Sequence, residues 1–144
     1  MFLIDTNVIS EVRKGDRCDV GVAEWFSRVP EAELMISVLA LGEIRKGIEM
    51  ARNRRDSHQE DVLEHWLRTI SVRFADRVLP IDEWVADTWG RMYQLRNVSA
   101  VDGLLASTAA VRDLTLVTRN MADVDGLGAS VLNPFSAQAS RSDP

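Results

Sequence analysis

The sequence is poor in the residues that staple, anchor or export a chain. Among 144 residues there is one cysteine, Cys18, so no disulfide can form within the chain. The simplest reading is a reducing, cytoplasmic compartment, with Cys18 as core filler. There are two histidines, His58 and His65. They stand seven apart, and no His-Glu-x-x-His arrangement accompanies them, which leaves a zinc hydrolase without its ligands. No glycine-rich phosphate loop occurs. No apolar run approaches the ~18 residues of a membrane span, and the opening Met1-Phe2-Leu3-Ile4-Asp5 has no basic leader, so export and anchoring are not expected. Basic residues are outnumbered, 17 Lys and Arg against 22 Asp and Glu, for a formal charge of −5. That balance argues against a protein that grips nucleic acid by charge alone.

What is present suffices for one domain. A chain of this size hides roughly 68–70% of its unfolded surface and needs no staples. Phe2-Leu3-Ile4 is a short apolar run stopped by Asp5 and reads as a buried strand. Asp19 precedes Val22, Trp25, Phe26 and Val29 at helical spacing, and Pro30 ends that helix. Leu34-Met35-Ile36 is a second strand, after which Ser37 caps a helix carrying Leu41, Glu43 and Ile44 toward Ala51. Val62, Leu63, Trp66, Leu67 and Ile70 mark one face of a further helix. Val78-Leu79-Pro80 is a brief strand or edge, and Asp82 caps a helix with Trp84, Val85, Trp89, Met92 and Leu95. Val101 to Val111 is an alanine-rich helix, Leu114 to Thr118 a strand, and Ser130-Val131-Leu132 another, stopped by Asn133-Pro134. Residues 1–135 form the domain, and the small, polar tail 136–144 is expected to fray. Strands separated by helices predict a three-layer α/β/α fold on a mostly parallel, twisted sheet of four to five strands.

Ligands of such sheets bind outside the carboxyl ends of the strands. Asp5 follows the first strand, and Glu43 lies in the helix that leaves the second. Asp102 opens a helix that runs antiparallel to the Leu114–Thr118 strand, so its end faces the same edge. Asn120 and Asp123 follow that strand directly. Each residue alone has an ordinary role: Asp5 as a helix cap, Asp102 against the macrodipole, Glu43 as a solvated helix residue, Asp123 in a turn. Together they are costly, because two carboxylates ~5 Å apart repel by about 3 kcal/mol at an effective dielectric near 20. One must take up a proton, or a cation must intervene. Oxygen-only ligands favour Mg²⁺ or Mn²⁺, which suit attack of water on a phosphodiester.

Five blocks carry a likeness. They are Phe2-Leu3-Ile4-Asp5-Thr6-Asn7-Val8-Ile9-Ser10, Ser37…Gly42-Glu43-Ile44, Val101-Asp102-Gly103-Leu104-Leu105-Ala106, Leu114-Thr115-Leu116-Val117-Thr118-Arg119-Asn120, and Gly126-Leu127-Gly128…Val131-Leu132-Asn133-Pro134-Phe135. In this order and spacing the chain resembles a PIN-domain ribonuclease and, within that group, a VapC toxin of a type II toxin–antitoxin pair. The resemblance implies an Mg²⁺-dependent endoribonuclease in which Mn²⁺ can substitute. Asp5 and Asp102 would be the principal metal ligands and Glu43 would complete the triad. Thr6 would orient Asp5 or touch a metal-bound water. Some relatives carry an acid where this chain has Asn120; Asp123 then supplies the fourth carboxylate, with Asn120 in support. The implied partners are an RNA substrate, a small antitoxin and a second copy in a homodimer. Trp25, Phe26, Trp66 and Leu67 are candidates for the antitoxin groove, with ordinary core as the alternative. The helix from Asp82 or that from Val101 would form the dimer face.

Arg45, Lys46, Arg52, Arg54 and Arg55 follow Glu43 closely and would guide an RNA backbone, unless they are a solvated helix face. Two other functions remain open. One is a phosphotransferase or phosphatase with Asp5 as nucleophile; its usual second acid two positions later is replaced by Asn7. The other is a catalytically silent RNA-binding module. The acidic balance, in part a rim built to hold cations, does not exclude RNA.

Overall fold

The computed structural model describes residues 1–136. The strands are β1 (Phe2–Ile4), β2 (Leu34–Ser37), β3 (Val78–Leu79), β4 (Thr115–Val117) and β5 (Ser130–Leu132). The helices are α1 (Thr6–Val12), α2 (Val20–Arg28), α3 (Val38–Asn53), α4 (Ser57–Arg73), α5 (Glu83–Met92), α6 (Ala100–Arg112) and α7 (Met121–Val124). The five strands form one sheet in the order β3-β2-β1-β4-β5, and every pairing is parallel.

Side-chain alternation along these short strands explains the layers. Ile4, Leu34, Ile36 and Val117 face a core made with Val8, Val22, Ala40, Ile44, Ile48, Ile70 and Phe74 of α1–α4 and the residue that follows them. Leu3 and Leu116 face the opposite core, with Met92, Leu105, Ala106, Ala109 and Val124 of α5–α7. A sheet buried on both faces between helices is the three-layer α/β/α arrangement. Cys18 is half-buried against the first core. Among the described residues no helix is long and apolar enough to cross a membrane.

Helix starts follow the sequence closely. Asp19, Ser37 and Asp82 accept hydrogen bonds from the backbone N–H of Val22, Leu39 and Val85 at 3.1, 3.0 and 3.0 Å. Each such cap is worth about 1 kcal/mol. Ser136, expected to begin the frayed tail, is instead held: its backbone N–H donates to Asp19 Oδ1 (2.9 Å) and its hydroxyl to Oδ2 (2.6 Å). The Asp19 carboxylate has oxygen to spare after capping α2, and Gly21 makes room, since a Cβ there would lie 2.5 Å from the Pro134 carbonyl oxygen. The rest of the expected tail lies outside the described residues. Of the four groove candidates, Trp25 and Leu67 are core residues. Phe26 and Trp66 line a cleft of about 200 Å³ with Ile9, Ile70, Phe74, Arg13 and Arg73.

The connections leave β1 toward β2 and β3 and then cross back to place β4 on its other side. The strand order therefore reverses beside β1, and a crevice opens between the carboxyl ends of β1 and β4.

Candidate active site

Asp5 stands on one lip of that crevice. β1 ends one residue before it and α1 begins one residue after, so its side chain takes the N-cap position. Its backbone N–H donates to the Val117 carbonyl at 2.9 Å, which ties this lip to β4. Oδ1 accepts the Thr6 backbone N–H at 2.7 Å. Oδ2 accepts the Thr118 hydroxyl at 2.8 Å and the Asn7 side-chain amide at 3.1 Å. Thr118, immediately after β4, forms the other lip and is 1% exposed.

The remaining acids approach from α3 and α6. The Thr6 hydroxyl donates to Glu43 Oε1 at 2.8 Å, which joins α1 to α3 on the β2 side of Asp5. Asp102 lies in the first turn of α6, where the Ser99 hydroxyl donates to its Oδ2 at 2.8 Å and accepts its backbone N–H at 3.2 Å. Burial pushes the Asp5 carboxyl above its ordinary value; the Thr118 hydrogen bond pulls it down, and the charges of Glu43 and Asp102 push it up again. The charges of Glu43 and Asp102 thus both act on Asp5 at the switch point of the sheet. Among the described residues no three His, Cys, Asp or Glu side chains are drawn tightly into a ready-made cage. Mg²⁺ keeps several waters and takes only one or two carboxylates, and an all-oxygen rim without His or Cys fits that habit.

The other sequence candidates separate. Asn120 is bound into the site through its backbone N–H, which donates to Thr118 Oγ1 at 3.2 Å. Asp123 is exposed in the first turn of α7. Arg45 makes a forked pair with Glu64, both bonds 2.9 Å, and Arg52 bonds Glu49 and Glu60. These two guanidinium groups clamp α3 to α4, whereas Lys46 is exposed on α3. His58 and His65 are exposed on α4.

Two residues of the site were not singled out from the sequence: Thr118 and Asn7. The signal for Thr118 was a hydroxyl closing an apolar strand at a depth where a polar group needs partners. For Asn7 it was an amide two residues beyond the capping acid.

Comparisons with known proteins bear on the family and the fold. A family model described as PIN domain matches residues 2–122. Toxin FitB of Neisseria gonorrhoeae is 30% identical over 141 residues, covering 94% of this chain and 99% of that protein. VapC ribonuclease Y4jK of Sinorhizobium fredii is 27% identical over 141 residues, covering 94% and 98%. The crystal structure of FitAcB from Neisseria gonorrhoeae superposes with a TM-score of 0.82 at 30% identity, covering 93% of this chain and 98% of that one. The family model spans most of the sequence, from β1 through the acids of α3 and α6 to the turn after β4, and the chain belongs to the PIN domain family.

Proposed function

We propose that this protein is the toxin of a type II toxin–antitoxin pair, a metal-dependent endoribonuclease whose site is Asp5, Glu43 and Asp102. The observation that carries the proposal is the setting of Asp5: a half-buried carboxylate held by three neutral donors, with Glu43 and Asp102 as its charged neighbours, at the crevice where α/β sheets take their ligands. Such a group calls for a cation, and the relatives named toxin and ribonuclease supply the reaction class.

Asp5 and Asp102 would hold Mg²⁺, or Mn²⁺ in its place, and Glu43 would complete the set. A cation bound there polarises a phosphate oxygen and lowers the pKa of an attacking water. The chain's own residues do the rest. Thr6 holds Glu43 through Oε1, so Oε2 is the oxygen left to accept a proton from water. Ser99 fixes Asp102 through Oδ2. Asp123, on the short helix that follows β4, would be the fourth carboxylate, with Asn120 in support. Lys46 guides RNA toward the site; Arg45 and Arg52 can join it only by giving up their glutamates. Asp5 as a phosphoryl-accepting nucleophile is disfavoured, because three hydrogen bonds onto its carboxylate withdraw the electron density that attack requires.

The antitoxin's C-terminal segment would lie in the cleft between α1, α2 and α4, where Phe26 and Trp66 offer apolar surface and Arg13 offers charge. A second copy would pack on α5, where Trp84, Trp89 and Tyr93 are exposed. Substituting Asp5→Asn or Asp102→Asn ends RNA cleavage and growth arrest with far-UV CD unchanged. Undiminished cleavage by either folded variant would sink the site assignment.

A further inference from the structure

The polar groups around Asp5 are arranged so that each hydrogen has one destination. The Asn7 amide is oriented by the Arg119 backbone N–H, which donates to its Oδ1 at 3.3 Å. Its Nδ2 therefore points at Asp5 Oδ2 (3.1 Å) and Thr118 Oγ1 (3.3 Å). The Asn120 backbone N–H reaches the same hydroxyl oxygen at 3.2 Å. Both of these neighbours are donors, so they fill the two lone pairs of Thr118 Oγ1, and the hydroxyl hydrogen is left with Asp5 Oδ2 at 2.8 Å as its acceptor. At 1% exposure solvent does not compete for it.

An ionised carboxylate offers about four lone-pair positions. Oδ2 of Asp5 receives two donors and Oδ1 receives one, the Thr6 N–H. The position that remains belongs to Oδ1. Resting on the reading of Asp5 as a cation ligand, we propose that Thr118 is a positioning residue. Its hydroxyl, aimed by Asn7 and by the Asn120 backbone, saturates Oδ2 and leaves Oδ1 as the one oxygen open to the cation. Valine has the shape of threonine without the hydroxyl, and in its place the Asp5 carboxylate loses the donor that fixes its rotation, so Oδ1 is no longer held toward the ion. Serine keeps the hydroxyl.

The test is a Mn²⁺ titration of the purified full-length chain, followed by the electron paramagnetic resonance of free Mn²⁺, for the wild type, T118S, T118V and D5N. Loss of a group that orients a metal ligand costs about 10–100-fold in metal affinity. That loss is expected for T118V, with T118S close to wild type. Wild-type affinity in T118V, beside lost binding in D5N, overturns the role of Thr118 and leaves Asp5 a ligand. Undiminished binding in D5N overturns the ligand reading itself. Should T118V fail to show native far-UV CD, T118A takes its place. A Mn²⁺-loaded crystal structure of the wild type needs no variant: Mn²⁺ on Oδ1 alone supports the proposal, and Mn²⁺ on Oδ2 or on both oxygens overturns it.

Discussion

Asp5 and Glu31 lie at opposite edges of one sheet and are held in opposite ways. Glu31 precedes β2, at the amino edge, where Arg73 donates to both of its oxygens (2.7 and 2.9 Å) and Arg77 adds a third bond at 3.1 Å. The Arg73 hydrogen bonds lead the effects that bring its carboxyl down to about 2. Asp5, at the carboxyl edge, is pushed upward by burial, and its charged neighbours are acids. The amino edge carries its own cations because its carboxylate is there to hold β2, α4 and the approach to β3 together. The carboxyl edge surrounds its carboxylate with neutral donors and like charges, so compensation is left to something that binds.

The contrast can be broken in order of expected effect. Glu43→Gln should lower RNA cleavage by about 10²–10⁴-fold, the range for a lost proton-transfer group. It should leave the melting temperature unchanged or slightly raised, because it relieves repulsion on Asp5; a clear loss of stability would show that the acid rim is structural after all. At the other edge, Arg77→Met should cost about 2 kcal/mol in urea unfolding and leave cleavage near wild type. The Arg77 guanidinium donates to the Glu31, Leu34 and Arg73 carbonyls, and its loss leaves three acceptors without this donor, the Leu34 carbonyl among them part-buried.

The two carboxylates also predict opposite pH signs. Glu31 is lowered in the fold, so its stabilisation is complete above its unfolded value near 4.5 and is lost as pH falls toward about 2. Asp5 is raised, so between 3.8 and its folded value the folded state holds more protons than the unfolded one, and stability rises as pH falls through that window. Melts of Glu31→Gln between pH 2 and 6 should show a shallower acid limb than the wild type. The smallest effect is expected at a third carboxylate. Burial pushes Asp19 up, but hydrogen bonds from Ser136, Val22 and Gly21 outweigh it and hold the group below its ordinary value. Ser136→Ala should cost about 0.5–1.5 kcal/mol in urea unfolding, with no change in cleavage.

How far the sequence could be read depended on distance along the chain. The caps Asp19, Ser37 and Asp82 were legible because a cap and its target lie two or three residues apart. Asp5, Glu43 and Asp102 were brought together by a topological rule, the carboxyl edge of a parallel sheet. The Thr118–Asn7 contact was not legible, because those residues are 111 apart and nothing local marks them as neighbours. The basic run of α3 looked like an RNA track for a related reason: Glu60 and Glu64, which engage Arg52 and Arg45, lie on the next helix. Ser136 looks like tail in the sequence because its partner is 117 residues earlier.

The bond between Thr118 and Asp5 spans 113 residues of chain and so has a consequence in time. Proteins are made from the amino terminus at about 5–20 residues per second. Asp5 therefore leaves the ribosome many seconds before the hydroxyl that holds it, and β1 waits for β4 before its lip of the crevice has an opposite side. A nascent chain of this design emerges next to a large supply of RNA with its first acid in hand and its site unbuilt.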